Sequence, residues 1–449
     1  CFFMAFCALS GAKGMDINMS EIGRQKENIS YIGELFDFID NSPTCFHAVE
    51  NMRQELEAAG YQRLSEKCPW KVVMGGNYYV IRNDSALIAF SIPKEGHKGF
   101  HIVAAHSDSP CFKLKELPEL CVEEHYLKWN VEKYGGMILS TWLDRPLSAA
   151  GRVVVKGADG MVTKLVNINR NTAVIPNVAI HMNRDMNKGI EYNPQTDMPP
   201  LIGDVTGKGG YLSLLAKEAG VKEEEILGQD IFLYNRDKCS RLGLEEEYIC
   251  GPRLDDLACA YAGLKALVEE EPGHYITMLA VFDNEEVGSG TKQGADSTFL
   301  RDVLSRIRNG LQLTEEEYQC MLAESFLISA DNAHAVHPNH PEKTDSVNKS
   351  WLNEGIVIKY HGSQRYATDA YSAAVMKDIC REAGVPFQAY ANRSDIAGGS
   401  TLGNILMAQV SMNTVDIGLP QLAMHSAFET AGAKDLDWLI RALSVFYKR

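Results

Sequence analysis

The sequence of residues 251–282, GPRLDDLACAYAGLKALVEEEPGHYITMLAVF, indicates the fold class of the whole chain. After Asp256, large apolar side chains recur with the spacing of one helix face. They are Leu257, Tyr261, Leu264 and Val268. The apolar run at 275–282 (YITMLAVF) then predicts a buried β-strand. A helix followed by a buried strand predicts an α/β domain.

The same alternation of strands and helices extends to both sides of this stretch. Short apolar runs predict further buried strands at 99–106 (GFHIVAAH), 326–330 (FLISA), 356–360 (IVIKY) and 414–417 (TVDI). Residues 77–92 predict two strands joined by a turn at Asn83-Asp84. The sequence also predicts helices at 28–41, after an N-cap at Thr44, and after a capping box that pairs Thr314 with Glu317.

Residues 107–245 differ from the rest of the chain, because short apolar runs alternate there with Gly, Asn and Pro. This pattern is typical of a compact β-rich module inserted into an α/β domain. We therefore expect a mixed central sheet flanked by helices, formed by residues 20–106 and 246–449 and interrupted by the 107–245 module.

Length, charge and composition exclude several classes of protein. The 449 residues are 45% apolar and 23% charged, which is typical of a folded chain with more than one core. The net charge of −15 argues against a nucleic-acid partner. No apolar run is long enough to cross a bilayer, and Cys1–Leu9 lacks the features of a signal peptide, so we expect Met15 or Met19 to be the initiator. Scattered cysteines without a CxxC pair indicate reduced thiols and a cytoplasmic location.

Several side chains that bind metal ions follow predicted strands or lie in the adjoining loops. They are His106, Asp255, the pair Glu285-Glu286, Asp331 and His425. The carboxyl ends of strands form the ligand crevice of an open α/β sheet, so we expect these residues to converge. Imidazole and carboxylate ligands without thiolates suit zinc, manganese or cobalt.

Two-metal hydrolysis needs a carboxylate between the ions and a second acid that transfers protons without binding metal. The adjacent Glu285 and Glu286 offer one residue for each task, and Asp108 is placed to orient His106. Each position also has an ordinary interpretation: a structural histidine, a helix cap at Asp255, or a solvated glutamate pair. The residue pattern by itself leaves both interpretations open.

A series of motifs favours the metal site. The series is SPTCFHA (42–48), AHSDSP (105–110), IPNVAIHMN (175–183), GPRLDDL (251–257), DNEEVGS (283–289), SADNAHAVHPN (329–339), QRYATD (364–369), GGSTLG (398–403) and MHSAFE (424–429). In this order the motifs resemble those of the aspartyl aminopeptidase family, across nearly the whole chain. The resemblance implies an α/β metallopeptidase domain, interrupted by a dimerisation domain and assembled into a tetrahedral dodecamer.

The resemblance also implies the ligands of two divalent metal ions, either zinc or, as alternatives, manganese or cobalt. His106 and Asp331 hold one ion, and Glu286 and His425 hold the other. Asp255 bridges the two ions. The family resemblance therefore gives a role to every ligand position that follows a predicted strand.

Four further residues receive roles from the resemblance. Glu285 is the general base, and Asp108 supports His106. His181 resembles the histidine that reaches a neighbouring subunit's active site and helps to hold the substrate carbonyl. Lys359 is expected to bind the carboxylate of an acidic first residue, and the alternative is a solvent-facing strand lysine.

The sequence departs from the family pattern at residues 254–256, where LDD replaces the usual LDN. Asp256 therefore competes with Asp255 as the bridging ligand. The resemblance also implies a cis peptide bond between these two residues. Three histidines with the spacing of a metal cluster receive no ligand role from the resemblance. They are His334, His337 and His340.

These observations predict a cytoplasmic aminopeptidase that hydrolyses the N-terminal residue of peptides and prefers acidic residues. One alternative is a related shell-forming aminopeptidase with a different specificity, which rates on a panel of aminoacyl substrates distinguish. The other is a catalytically idle assembly that serves as cargo or scaffold, which metal content and hydrolysis distinguish.

Overall fold

The computed structural model describes residues 30–158 and 160–449. The segment Cys1–Leu9, the expected initiators and residues 20–29 of the first predicted domain lie outside the described residues. The strands in chain order are β1 (Gln62–Arg63), β2 (Asn77–Arg82), β3 (Ala86–Ser91), β4 (Phe100–His106), β5 (Cys111–Val122), β6 (Tyr126–Tyr134), β7 (Leu147–Gly157), β8 (Gly160–Asn167), β9 (Leu201–Asp204), β10 (Ile226–Asn235), β11 (Ser240–Leu242), β12 (Tyr248–Gly251), β13 (Ile276–Phe282), β14 (Phe326–Ala330), β15 (Ala333–His334), β16 (Ile356–Tyr360), β17 (Phe387–Ala391), β18 (Asn413–Gly418), β19 (Pro420–Leu422) and β20 (Glu429–Gly432). The α-helices are α1 (Ile32–Asp40), α2 (Cys45–Ala58), α3 (Tyr211–Ala219), α4 (Leu254–Glu269), α5 (Phe299–Gly310), α6 (Glu315–Glu324), α7 (Ala370–Ala383), α8 (Leu402–Gln409) and α9 (Asp435–Lys448).

The largest sheet has nine strands in the order β1-β2-β3-β13-β4-β14-β18-β16-β17. Its central strands β13, β4, β14 and β18 run parallel to one another. The strands on either side of this group, β3 and β16, run antiparallel to it. This is the mixed central sheet that the sequence predicts, so the predicted fold class is confirmed.

Helices cover both faces of the large sheet. On one face, Val103 and Ala105 of β4 join the core formed with α1, α2, α4, α7 and α9. On the other face, Ile102 and Ala104 join the core formed with α5, α6 and α8. Because both faces of the central strands are buried, their sequences are continuous apolar runs rather than alternating ones.

A second sheet has six antiparallel strands in the order β8-β7-β10-β5-β6-β9, all between Cys111 and Asn235. It has a core of its own, which includes Phe112, Trp129, Leu147 and Leu233. A third, small sheet has the order β11-β12-β20-β19-β15. In this third sheet Gly251 pairs with Glu429, which brings the start of α4 close to the loop that precedes β20.

Most local predictions agree with the structure. Thr314 caps α6 in the predicted capping box, and Asn83 and Asp84 both adopt positive φ between β2 and β3. Thr44 lies at the N-cap of α2, but its hydroxyl shares a hydrogen bond of 2.8 Å with Nδ1 of His47. The predicted N-cap position is therefore confirmed, but the hydroxyl bonds the histidine ring and not the helix backbone.

Two expectations concern the environment of the protein. Among the described residues, no helix combines the length and the apolar character that crossing a bilayer requires. The cysteines in the described part of the chain are all free thiols. The cytoplasmic location stays a prediction.

Candidate metal centre

Parallel strands bring the predicted ligand positions to one edge of the large sheet. His106 is the last residue of β4, and Asp331 directly follows the neighbouring strand β14. Glu285 and Glu286 lie in a short 3-10 turn after β13, on the other side of β4. Because β13, β4 and β14 are parallel, their carboxyl ends meet at the same edge, as the sequence predicts.

Asp255 and His425 reach this edge from connecting segments. Asp255 lies at the start of α4, where the backbone is not yet helical, and its peptide bond to Asp256 is cis, as predicted. His425 lies in the loop between β19 and β20. Oδ1 of Asp255 is 3.7 Å from Nε2 of His106, and Oδ2 is 3.4 Å from Nε2 of His425. One carboxylate therefore lies between two imidazoles.

Two further carboxylates accompany the two histidines. Nε2 of His106 is 3.9 Å from Oδ1 of Asp331, and Nε2 of His425 is 3.3 Å from Oε2 of Glu286. The potential ligand atoms within each of three groups lie within 4.8 Å of one another. The groups are His106, Asp255, Asp256 and Asp331, then His106, Glu285 and Glu286, and finally Asp255, Glu286 and His425. Asp255 belongs to the first and the last of these groups, so it joins the surroundings of the two histidines.

The site contains buried carboxylate oxygens that no protein group satisfies. Oδ1 of Asp255, Oδ1 of Asp256 and Oε1 of Glu286 have no hydrogen-bond partner among the described residues. A buried charged oxygen without a partner is strongly unfavourable. A cation between these residues satisfies the oxygens, and imidazole with carboxylate is a donor set that zinc accepts. The residues present therefore fit a metal ion.

The pKa values of the site reflect its excess of negative charge. Burial raises the pKa of Glu285 to about 8, and nearby carboxylates add to this increase. Burial alone would lower the pKa of His106, but Asp108 and Asp255 raise it well above its usual range. Burial alone would raise the pKa of Asp255, but His106 and His425 hold it below its usual range. Positive charge is therefore favoured beside these carboxylates.

Asp108 lies beside His106, as the sequence predicts. Its Oδ1 is 3.4 Å and its backbone carbonyl oxygen 3.1 Å from Nδ1 of His106. These acceptors favour a proton on Nδ1, which leaves Nε2 as the nitrogen that faces Asp255. Nε2 is therefore the atom of His106 that is available to a metal ion.

Glu429 connects two residues of the site and is not identified by the sequence analysis. It is 2% exposed, and its Oε2 accepts a hydrogen bond of 3.0 Å from the backbone N–H of Asp255. Its Oε1 accepts one of 2.8 Å from the backbone N–H of His425. Glu429 ends the motif MHSAFE (424–429), but only the pairing of β20 with β12 shows what it contacts.

The positions of Lys359 and of Asp256 in the structure bear on two alternatives that the sequence leaves open. Lys359 on β16 is only 3% exposed, and its Nζ is 3.9 Å from Oδ2 of Asp331. The alternative that Lys359 is a solvent-facing strand lysine is therefore wrong. Asp256 is buried as well, and its Oδ2 accepts a hydrogen bond of 3.2 Å from the backbone N–H of His106. Asp255 belongs to a group with His106 and to a group with His425, whereas Asp256 belongs only to a group with His106.

The structure does not bring every predicted residue to the metal site. His181 is exposed in the segment between β8 and β9, and it belongs to no metal-binding group within the described chain. Its predicted role in a neighbouring subunit stays a prediction. His334, His337 and His340 are likewise absent from the metal-binding groups of the described residues.

Comparison with known sequences gives extensive matches. Residues 38–447 match the family model described as aminopeptidase I zinc metalloprotease (M18). A "Probable M18 family aminopeptidase 2" from Clostridium acetobutylicum is 46% identical over 430 residues, which cover 94% of this chain and 99% of the relative. A protein of the same name from Pseudomonas aeruginosa is 42% identical over 422 residues, which cover 92% and 97%.

Solved structures agree with these matches. A chain in the cryo-EM structure of the Ape4 and Nbr1 complex is 37% identical, with a TM-score of 0.89, and the match covers 92% of this chain and 85% of that one. The S. cerevisiae mApe1 dodecamer is 28% identical, with a TM-score of 0.82 and coverage of 93% and 96%. The family resemblance of the motifs is thus confirmed, and the chain belongs to the M18 family of aminopeptidase I zinc metalloproteases, which makes it a metal-dependent hydrolase of peptide N-termini.

Proposed function

We propose that this aminopeptidase binds two divalent metal ions, prefers acidic N-terminal residues and uses Glu285 as its general base. The main support is the Asp255 carboxylate, which lies between Nε2 of His106 and Nε2 of His425. A carboxylate in that position offers one oxygen to each of two cations, which lie roughly 3.5–4 Å apart in two-metal hydrolases.

The same geometry supports the proposed assignment of the remaining ligands. His106 and Asp331 hold one ion, because their ligand atoms are 3.9 Å apart beside Oδ1 of Asp255. Glu286 and His425 hold the other ion, with ligand atoms 3.3 Å apart beside Oδ2 of Asp255. Zinc is the ion that the family description names, while manganese and cobalt suit the same ligands.

Glu285 is suited to proton transfer. When bound, the ions would supply Lewis acidity for the hydrolysis. A carboxylate oxygen of Glu285 lies within 4.8 Å of ligand atoms of His106 and Glu286, beside the residues that would hold the ions. Glu285 takes up the proton of the attacking water and donates it to the departing amine. In the chain alone, burial raises the pKa of Glu285 to about 8, as is typical of carboxyl groups that transfer protons in active sites.

The acidic preference rests on the buried ammonium group of Lys359. Burial alone would lower its pKa, but Asp331 raises it above its usual range, so the group stays charged. The distance of 3.9 Å from Nζ of Lys359 to Oδ2 of Asp331 places this charge beside a proposed metal ligand. A buried ammonium group in that position would pair with a substrate side chain that ends in a carboxylate.

We propose residues 20–106 and 246–449 as the catalytic domain and residues 107–245 as a dimerisation domain. The strands of the six-stranded sheet lie between Cys111 and Asn235, and its edge strand β8 exposes Met161 and Val162. An exposed apolar edge strand favours pairing with another chain. Together with the dodecameric relative, this supports a homo-oligomer, and a dodecamer in particular, in which His181 reaches a neighbouring active site.

The Glu285→Gln variant tests the proposed base. We expect kcat to fall by about 10²- to 10⁴-fold, because the amide keeps the shape of the side chain but cannot accept the proton. Bound metal, measured by elemental analysis, stays at two ions per subunit. Glu316→Gln, which removes an exposed charge on α6, is the control and leaves both quantities unchanged. Near-normal turnover of Glu285→Gln contradicts its role as base, and fewer than two ions in the wild type contradicts the two-metal site.

A further inference from the structure

The segment Tyr134–Gly136, at the end of β6 in the six-stranded sheet, contacts the proposed metal site at three points. We propose that Tyr134 is a positioning residue: its hydroxyl fixes the Asp108 carboxylate, and through it the residues that bind metal. This inference rests on the proposed function, because it concerns the same five ligands. It means that the inserted sheet helps to build the metal site of its own chain.

The hydroxyl of Tyr134 is held from two sides. It donates a hydrogen bond of 2.6 Å to Oδ2 of Asp108 and accepts one of 2.8 Å from Nδ2 of Asn284. Its ring packs edge-on against Phe232 of β10, with 5.7 Å between the ring centroids. Both the ring and the hydroxyl therefore have a defined position, which a residue that orients another side chain requires.

Asp108 transmits this position to residues of both proposed ions. Its carboxylate is 4% exposed and lies 3.4 Å from Nδ1 of His106. Oδ1 also accepts a hydrogen bond of 3.1 Å from the backbone N–H of Glu285, and Oδ2 accepts one of 3.2 Å from that of Glu286. One carboxylate therefore orients a ligand of each ion and the proposed base, and Tyr134 donates the only side-chain hydroxyl bonded to it within the described chain.

The two glycines after Tyr134 approach the same site. Gly135 has φ of +78°, and a Cβ atom at this position would lie 3.1 Å from Cβ of Glu286. Glycine is therefore favoured by both its backbone and its neighbour. The carbonyl oxygen of Gly136 is 2.9 Å from Nδ1 of His425, which leaves Nε2 of that ring facing Glu286. The segment thus contacts both residues proposed to hold one ion, and it reaches His106 of the other ion through Asp108.

A different result is expected if Tyr134 has a purely structural role. Buried tyrosine hydroxyls usually find a hydrogen-bond partner for the sake of stability alone. In that case removal of the hydroxyl changes thermal stability and leaves the affinity for metal unchanged. A positioning role instead changes metal affinity and kcat together while KM stays constant, because the hydroxyl is bonded to Asp108 and Asn284 and acts through them.

The test compares Tyr134→Phe with Tyr126→Phe. Tyr126 lies on the same strand, is 57% exposed, and its hydroxyl forms no hydrogen bond with the described residues, so it is a matched control. We expect Tyr134→Phe to raise the dissociation constant for Zn²⁺, measured by competition with a chelator, by about 10- to 100-fold. The absorption spectrum of the Co²⁺-loaded protein changes as well, and Tyr126→Phe matches the wild type in both measurements.

The same measurement in an Asp108→Asn background tests whether Tyr134 acts through Asp108. If Tyr134 acts through Asp108, the effect of Tyr134→Phe on Zn²⁺ affinity is much smaller in that background than in the wild type. Equal effects in both backgrounds, or wild-type Zn²⁺ affinity of Tyr134→Phe, overturn the inference. Should Tyr134→Phe fail to fold, Asn284→Gly accommodates the φ of +63° at that position and removes the hydrogen bond that Nδ2 donates to the hydroxyl, together with those that Oδ1 accepts from Thr291 and Gln293. Because all three bonds are lost, unchanged Zn²⁺ affinity of this variant also overturns the inference.

A ligand variant separates this inference from the proposed function. Asp255→Ala is expected to lose tightly bound Zn²⁺, because it removes the carboxylate shared by both halves of the site. If Asp255→Ala binds Zn²⁺ like the wild type, the proposed metal site is wrong. If Asp255→Ala loses Zn²⁺ while Tyr134→Phe keeps wild-type affinity, only the role of Tyr134 is wrong.

Discussion

Lys359 is the residue on which the proposed acidic preference depends. It lies on β16 with its ammonium group 3.9 Å from a carboxylate oxygen of Asp331 and 5.6 Å from the centre of the Tyr366 ring. A buried lysine is unusual unless its charge has a partner. The position beside a proposed metal ligand makes a substrate carboxylate the natural second partner.

We expect Lys359→Met to lower kcat/KM for a substrate with N-terminal Asp by about 10- to 150-fold, the range of a hydrogen bond to a charged group. The rate for N-terminal Leu falls much less, because that side chain does not pair with the ammonium group. Rates on a panel of aminoacyl-nitroanilides measure both effects.

Lys377→Met is a suitable control for loss of one positive charge, since Lys377 lies on α7 near Tyr360 and outside the proposed site. It should leave the ratio of the two rates unchanged. If Lys359→Met lowers the rates for Asp and Leu equally while metal content is normal, the specificity role is wrong.

Strand β4 carries a proposed metal ligand at its end and contacts the C-terminal helix α9 near its start. His106 ends this strand, and His101 near its start stacks between Tyr275 and Phe446, with ring centroids 3.7 and 4.2 Å away. Nδ1 of His101 is 2.8 Å from the carbonyl oxygen of Phe446. Burial lowers the pKa of His101 to about 4, although the hydrogen bond opposes this shift.

This low pKa predicts a pH dependence of stability. The unfolded histidine has a pKa of about 6.5, so between pH 6.5 and 4 the unfolded chain binds more protons than the folded one. His101 therefore contributes stability above pH 6.5 that is lost as the pH falls towards 4, at most about 3 kcal/mol. We expect His101→Asn to flatten the fall of Tm over this range.

Thermal unfolding at a series of pH values tests this expectation. His101→Asn also lowers Tm at every pH because the stacking is lost, so the slope with pH is the informative quantity. His125→Asn, at an exposed position in the turn between β5 and β6, is the control and keeps the wild-type slope. An unchanged slope for His101→Asn means that another group titrates.

In the whole assembly, it matters whether His181 acts in the active site of its own subunit or in that of a neighbouring subunit. It is exposed and belongs to no metal-binding group of its own chain among the described residues. Combining two variants in one oligomer distinguishes a residue that acts in a neighbouring subunit's site from one that acts in the site of its own subunit. Glu285, which lies within the ligand groups of its own chain, is the suitable counterpart.

We expect His181→Ala and Glu285→Gln to be nearly inactive when expressed separately and to recover activity when expressed together. In a mixed pair, the His181→Ala subunit keeps Glu285 and receives His181 from its neighbour. Random pairing then restores up to about a quarter of the wild-type sites. Turnover of the purified mixed oligomer measures this recovery.

Co-expression of His181→Ala with a subunit that contains both substitutions is the control, because no intact combination can form. Its activity is expected to stay at the level of the single variants. Absence of recovery in the first mixture, with mixed oligomers present, contradicts action between subunits.

Local patterns predict elements well where neighbouring residues decide the outcome. The strands at 326–330 and 356–360 have the predicted bounds as β14 and β16, because a buried strand requires an apolar run whatever its partner. Thr44 is the N-cap of α2 as predicted, but its hydroxyl bonds the ring of His47 in the first turn and not the helix backbone. Patterns of spacing describe the backbone, but not which of several nearby partners a polar group selects.

The family, the mixed α/β fold and the set of imidazole and carboxylate side chains are predictable from the chain alone, because they depend on residue identity, order and short-range periodicity. Other features are visible only in the folded chain: Asp255 lies between two histidines, Lys359 is buried, and Glu429 and Tyr134 contact the site. These contacts join residues far apart in the chain. Their distances are set by how three sheets and their loops pack together, which a motif does not record.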